Sequence, residues 1–226
     1  MATYLITGAT RGIGRAVVDI LADDNLIVLA RDAVALERLA SQLPSARPIA
    51  VDLARPAALE TALGAAGLSD RLDGIVHAAG VNINGRLSEV GTDEWTEQLV
   101  VNVVAVAELN RLLLPALRAA QGTVVFINSG AGRAVKRAGG TAYAASKHAL
   151  VAVADGLRLE EPDLRVTTVF PGRVATEMQK DLRTYEGGEY RAEDYVHPVT
   201  LAQVVAGALR LPADASMNDV AVMPNS

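Results

Sequence analysis

Tyr143 and Lys147 stand four residues apart in the stretch Thr141-Ala-Tyr-Ala-Ala-Ser-Lys-His-Ala-Leu150. Alanine favours helix, and positions i and i+4 of a helix share a face, so the two side chains belong together. An unperturbed phenol has a pKa of about 10 and is a poor acid or base near neutrality. A fixed ammonium beside it favours the phenolate and draws that pKa toward the working range. Such a pair can pass a proton to or from a substrate oxygen. The same spacing also describes a packed ring beside a solvated amine, so the elements around the pair must decide.

Those elements alternate along the chain. Short apolar runs at 3–7, 26–30, 48–51, 74–78, 122–128, 165–170 and 219–222 read as strands. Helical patterns near 14–23, 33–42, 57–66, 92–120, 142–161 and 201–211 lie between them. Continuous apolar strands are expected where helices cover both faces of a parallel sheet. The pattern predicts an α/β fold: a single doubly wound Rossmann-type domain over residues 1–226, with about seven parallel strands and helices on both faces. The stretch Glu177–Pro198 is polar and weakly periodic, with Gly187-Gly188 and three tyrosines from Tyr185 to Tyr195. It reads as an irregular substrate lid or specificity loop.

Composition narrows the chemistry. Half of the 226 residues are hydrophobic, yet no apolar run approaches the roughly 20 residues that span a bilayer. The chain opens on strand, so no signal peptide is expected and the mature protein should begin near Met1. No membrane partner and a cytoplasmic location are the expectation. Absence of cysteine excludes disulfides and thiolate chemistry, and three scattered histidines offer no paired ligand spacing for a metal. The net charge of −5 argues against a nucleic-acid partner, which demands a basic face.

After the first strand comes Thr7-Gly-Ala-Thr-Arg-Gly-Ile-Gly14, leading into a helix. Glycines there allow a tight turn and close approach of backbone to a pyrophosphate over the positive helix end. Gly8, Thr10, Arg11, Gly12, Ile13 and Gly14 are therefore candidate coenzyme contacts, although a plain tight connection has the same composition. The second strand ends in Ala30-Arg31-Asp32. Arg11 and Arg31 suit a 2′-phosphate through charge and paired donors, which predicts NADP(H) over NAD(H). Asp32 could instead accept a 2′-hydroxyl, with Arg31 in solvent, and either arginine could be a plain surface charge. Asp52 and Leu53, after the third strand, are candidates for the adenine, with a helix cap as the alternative for Asp52.

Together these motifs resemble the short-chain dehydrogenase/reductase family, in its classical type, over nearly the whole chain. The matching residues are Thr7–Gly14, His77-Ala-Ala-Gly80, Asn102, Ser129, Tyr143 with Lys147, and Pro171-Gly172 with Thr176. The resemblance implies that Tyr143 is the general acid or base and that Lys147 lowers its pKa and holds the nicotinamide ribose. It implies that Ser129 polarises the substrate carbonyl and that Asn102 holds a water linking Lys147 to solvent. Ala79, Gly80, Pro171, Gly172, Val174 and Thr176 would pass near the ribose and nicotinamide.

Three features depart from the family pattern. The common Asn-Asn-Ala-Gly is His77-Ala-Ala-Gly80, so hydrogen bonds that stiffen the sheet there are missing or replaced. Ser129 and Tyr143 are separated by fourteen positions, one more than in many relatives. The chain is also short for the family. His77 reads as a packed residue between strand and helix rather than a catalytic one, and His148, which points elsewhere on the helix than Lys147, is likewise not read as catalytic. Pocket walls are expected at 81–87, 130–138 and 177–197, where Arg133, Lys136 and Arg137 could face an anion or lie in solvent. The resemblance implies pairing through the long helices, as a homodimer or homotetramer. The expected activity is hydride transfer between NADP(H) and a ketone, aldehyde or secondary alcohol. An NADP-binding regulator without turnover is the rival; it would not need Ser129, Tyr143 and Lys147 together.

Overall fold

The computed structural model describes residues 1–68 and 70–225. Its strands are β1 (Thr3–Thr7), β2 (Asn25–Ala30), β3 (Ala46–Ala50), β4 (Gly74–His77), β5 (Thr123–Ile127), β6 (Arg165–Pro171) and β7 (Asp219–Val222). They form one parallel sheet in the order β3-β2-β1-β4-β5-β6-β7. All seven predicted runs are strands, with ends displaced by at most two residues. The helices are α1 (Gly12–Ile20), α2 (Ala33–Ala40), α3 (Leu59–Ala65), α4 (Thr92–Leu99), α5 (Ala105–Ala120), α6 (Thr141–Glu160), α7 (Glu177–Tyr185) and α8 (Pro198–Leu209).

Successive strand residues face opposite sides of the sheet, and both sides are apolar, which is why the runs are continuous rather than alternating. Ile6, Val28, Val76 and Val125 meet Val17 and Val18 of α1 and Leu201 and Val205 of α8. On the other face Leu5, Ile75, Val124 and Phe126 meet Leu59 of α3, Leu109 and Leu117 of α5 and Leu150 of α6. Burying a large apolar side chain contributes roughly 1.5–3 kcal/mol, so these two layers fix the sheet between its helices.

The predicted long helix from Thr92 to Ala120 is interrupted. Between α4 and α5 the chain makes one π-helical stretch, Val100–Val104, with Asn102 buried at its centre. Such wide turns are frequent at functional sites. Contrary to the expectation from the sequence, the continuous stretch Thr92–Ala120 is long and apolar enough, by length and composition, to cross a membrane. Its buried residues Ala105, Val106, Leu109, Leu113 and Leu117 belong to the domain core, which explains the apolar composition.

The segment expected to be irregular contains a nine-residue helix, α7. Thr176 caps it, its hydroxyl accepting from the Gln179 amide at 3.4 Å. Only Gln179 of this helix is buried, so the sequence has no apolar stripe for periodicity to reveal. Beyond it, Val196 returns to pair with Val174, and a single turn of 3-10 helix covers Ala192–Asp194.

Candidate active site

The strand order reverses between β1 and β4, and the crevice beyond their carboxyl ends is where a doubly wound sheet receives a ligand. Thr7 closes the base of that crevice. Its hydroxyl accepts from the Ala78 and Ala79 amides, each at 3.0 Å, and donates to the Val76 carbonyl at 3.4 Å. The ring of His77 is stacked on Phe126 and bonded through Nε2 to Asn110 Oδ1 at 3.0 Å. Burial pulls its pKa down to about 4, so it is a neutral packing residue, as the sequence indicated. Thr7 and the His77–Asn110 pair stiffen the end of β4, where the family's asparagines are absent.

The glycine turn is backbone pressed against backbone. Gly8 has φ +65, and a Cβ there would lie 2.9 Å from Ala79 Cα. A Cβ on Gly14 would overlap the Gly8 carbonyl oxygen. The turn thus has no room for side chains at Gly8 and Gly14, and it leads into α1 through the partly exposed Gly12 and Ile13. That cradle fits a dinucleotide pyrophosphate. Gly12 has φ +58 and faces the Thr176 methyl, which brings the start of α7 to the turn. Arg11 also reaches α7, pairing with Glu177 at 3.3 Å.

Arg31 is exposed after β2 and, among the described residues, has no hydrogen-bond or ion-pair partner. The Ala9 amide donates to Leu29 O at 3.3 Å, which sets the glycine turn beside this end of β2. Asp32 caps α2, accepting from the Ala35 amide at 3.0 Å. Asp52 likewise serves its own turn, accepting from the Ala54 amide at 3.0 Å. Leu53 points into the core with Leu5 and Ile49, so its side chain is not free to touch an adenine. Thr10 and Ile13 are half-buried in the turn, with Ile13 packed on the core of the α1 face.

Beyond β4 and β5 the four proton-handling candidates converge. A Cβ placed on Gly80 would lie 3.1 Å from Asn102 Oδ1 and 3.9 Å from Lys147 Nζ. Lys147 is buried and donates to the Ile127 carbonyl at 3.0 Å. Its Nζ is 5.8 Å from the centre of the Tyr143 ring. Tyr143 is half-buried and its phenol is hydrogen-bonded to the Ser129 side chain. Asn102 donates to Val81 O at 2.9 Å and to Ser146 Oγ at 3.0 Å, and accepts from the Val81 amide at 2.9 Å. Its amide is therefore engaged in holding the loop after β4 against α6.

Burial, not the ammonium, dominates the phenol. It holds the Tyr143 pKa above the ordinary value, opposed by the Ser129 hydrogen bond and the Arg137 charge. This is opposite in sense to the lowering expected from Lys147. Burial also pulls the Lys147 pKa down to about 8, because its hydrogen bond to Ile127 does not replace full hydration.

The third side of the crevice is built by β6 and α7. Pro171 ends β6, and Gly172 lies against Met223 and Pro224, its amide donating to Val222 O at 2.8 Å. Val174 is buried, and Thr176 turns the chain into α7. At its far end Tyr185 covers Gly139, whose φ is +73, so its hydroxyl abuts the loop preceding Tyr143.

Several organising residues were not legible beforehand. Asn128 accepts from the Ser129 amide at 2.8 Å and donates to Lys147 O at 3.1 Å, tying β5 to α6. Its place directly before Ser129 was the available signal. Ser146 donates to Tyr143 O at 2.8 Å and accepts from Asn102. Among the described residues no group of three or more His, Asp or Glu could hold a metal.

Comparison with known proteins bears on this geometry. The short chain dehydrogenase family matches residues 2–187. Dehydrogenase/reductase SDR family member 7B of Bos taurus is 32% identical over 232 residues, covering 92% of this chain and 70% of that protein. An alcohol dehydrogenase from the archaeon Thermococcus sibiricus, complexed with 5-hydroxy-NADP, matches with a TM-score of 0.88 and 26% identity, covering 98% of this chain and 96% of its own. A 3-oxoacyl-(acyl-carrier protein) reductase from Brucella melitensis with bound NAD gives a TM-score of 0.84 at 26% identity, covering 98% and 89%. The chain belongs to the short-chain dehydrogenase/reductase family, oxidoreductases that bind a nicotinamide coenzyme.

Proposed function

We propose that the protein transfers hydride between NADP(H) and a ketone, aldehyde or secondary alcohol, with Tyr143 as general acid or base. The observation that carries this reading is the convergence of Asn102 and Lys147 on Gly80, with Lys147 Nζ 5.8 Å from the Tyr143 ring and Ser129 coupled to its phenol. A purely nucleotide-sensing protein would need the turn and none of the rest.

The coenzyme, when bound, supplies or accepts the hydride. The chain's own residues handle the oxygen. Ser129 orients the carbonyl and stabilises negative charge developing there. Tyr143, kept protonated by burial, gives its proton to that oxygen as the carbonyl carbon becomes bonded to hydrogen. Lys147, with a pKa near neutrality, is the adjacent acid that restores the proton to the phenolate. Asn102 positions the Val81 loop and Ser146 beside that route. In the reverse direction every proton moves the other way and the alcohol is oxidised.

Preference for NADP(H) is supported by Arg31, which is exposed after β2 and has no partner among the described residues. Gly8, Gly12 and Gly14 would seat the pyrophosphate, and Ala79, Gly80, Pro171, Gly172, Val174 and Thr176 would border the ribose and nicotinamide. A homodimer or homotetramer is supported by exposed apolar residues on the long helices, Val104 in the π-helical stretch and Leu159 on α6. A cytoplasmic location goes with this reading, since reduced nicotinamide coenzyme is an intracellular reductant.

Replacing Tyr143 with Phe tests the assignment. Turnover of a carbonyl panel should fall by at least about 100-fold while NADPH binding, read by fluorescence titration, persists. Turnover retained in the variant refutes Tyr143 as the acid.

A further inference from the structure

Arg137 stands where the three walls of the substrate crevice meet. It lies in the loop between Ser129 and Tyr143, half-buried, and its guanidinium donates to Asn84 Oδ1 in the loop after β4. On its other side is the Tyr185 ring of α7, 5.8 Å from the guanidinium carbon. Its remaining hydrogen bond is a long one, 3.4 Å, to the Ala138 carbonyl. Among the described residues it has no carboxylate within ion-pair distance.

The nearby charges do not balance. Glu186 is held by Arg173 at 2.8 and 2.9 Å and by Arg183 at 2.6 Å, so its oxygens are already occupied. Arg137 is thus a third guanidinium in the field of that one carboxylate and makes no ion pair with it. A partly buried cation without a partner is costly unless an anion arrives to complete it. The guanidinium lies over Gly140, immediately before the helix that carries Tyr143, where a Cβ would come within 3.3 Å of its carbon, and its charge is felt by the Tyr143 phenol.

We propose that Arg137 is a substrate-binding residue that takes the carboxylate of an oxo acid, or of the corresponding hydroxy acid, while Tyr143 acts on its carbonyl or hydroxyl oxygen. This rests on the oxidoreductase reading above and adds the substrate class. A planar guanidinium fixed by Asn84 at one edge presents its other donors in the fork that matches a carboxylate. One unpaired guanidinium fits a monoanion, where a terminal phosphate would bring a second charge. The bond to Asn84 matters because it holds the fork without neutralising it.

The test compares 2-, 3- and 4-oxo acids with their methyl esters, using the full chain and NADPH. Wild-type protein should favour an acid over its ester in kcat/KM by about 30-fold, and Arg137→Met should collapse that ratio, chiefly through KM of the acid. Asn84→Asp, which places a carboxylate on the guanidinium, should collapse the ratio as well. Binding is measured separately by saturation-transfer NMR, with butyrate and methyl butyrate as unreactive probes. Butyrate binding that Arg137→Met abolishes supports the subsite even where no substrate turns over. Reduction of neutral ketones with no preference for acids and no butyrate binding overturns the subsite and leaves the oxidoreductase reading standing. Absence of both turnover and butyrate binding overturns both.

Discussion

Lys147 Nζ donates to the carbonyl oxygen of Ile127 at 3.0 Å, which ties the buried amine of the site to the last residue of β5. One hydrogen bond to a neutral carbonyl does not replace the hydration of an ammonium, and burial moves its pKa from 10.5 to about 8. The unfolded chain therefore binds more protons than the folded one between those two values. Stability from this residue is lowest below pH 8 and rises as pH climbs through the window. Between pH 7 and 9.5 the wild type should gain about 2 kcal/mol over Lys147→Met, from the size of that shift. Urea unfolding of both proteins at the two pH values measures it, below the range in which the raised Tyr143 phenol titrates. A constant difference between them would show that the amine is not desolvated.

Asn102 makes three hydrogen bonds, two to the Val81 backbone and one to Ser146, from a buried position in the π-helical stretch. Asn102→Leu has a similar size but leaves the Val81 amide and carbonyl without partners. The expected cost is roughly 2–6 kcal/mol, from one to three for each of the two orphans. Turnover should fall further than coenzyme affinity, because the displaced loop also meets the segment before Tyr143, the Gly85 amide donating to Gly139 O at 3.1 Å. A shift of the urea midpoint within error of wild type would contradict the structural role.

Gly14→Ala tests the turn itself. The added methyl has nowhere to go, since its position coincides with the Gly8 carbonyl oxygen and closes on Thr7 O at 3.0 Å. Backbone cannot swing aside as a flexible side chain would, so α1 must move away from β1. The variant should lose about 1–3 kcal/mol of stability and at least tenfold in coenzyme affinity. Gly207→Ala is the control: a Cβ there meets nothing within 4 Å, and helix propensity favours alanine. Differential scanning calorimetry should separate the two variants by several degrees.

The strands and most helices were legible because each carries its own signal. Val124, Val125 and Phe126 are apolar on both faces, and a buried parallel strand has that composition. Tyr143, Lys147, Ser129 and the glycine turn were legible through residue type and spacing. What sequence could not show depends on contacts between distant loops. Helix α7 lacks an apolar stripe because it covers a crevice rather than a core, so its capping Thr176 was the only local sign. Lys147 on α6 implied a lowered phenol pKa, yet burial outweighs it, and burial is a property of the assembled site. Leu53 packs its side chain in the core cluster with Leu5 and Ile49, a contact that exists only once the sheet is assembled. Arg137 meets Asn84 across 53 positions and Tyr185 from a third loop, and no periodicity encodes such a meeting.

Arg31 gives the most direct reading of coenzyme choice. It is exposed at the end of β2, beside the glycine turn, and makes no hydrogen bond or ion pair among the described residues. Arg11, the other cation of the region, is shared with Glu177 at 3.3 Å. That pair is highly exposed and holds Arg11 weakly, so Arg11 contributes less to a 2′-phosphate than Arg31 and more once Glu177 is neutralised. Asp32 caps α2 through one carboxylate oxygen, which accepts from the Ala35 amide and fixes the residue just after Arg31. Arg31→Ala should therefore weaken NADPH binding about tenfold or more, the loss of charge-assisted hydrogen bonds to a phosphate, and change NADH binding by less than about threefold. Glu177→Gln should strengthen NADPH binding slightly, about twofold, by freeing Arg11. Fluorescence titrations of wild type and both variants with each coenzyme decide the matter. Equal affinity of the wild type for NADPH and NADH, unchanged by Arg31→Ala, would leave the two arginines as ordinary surface charges.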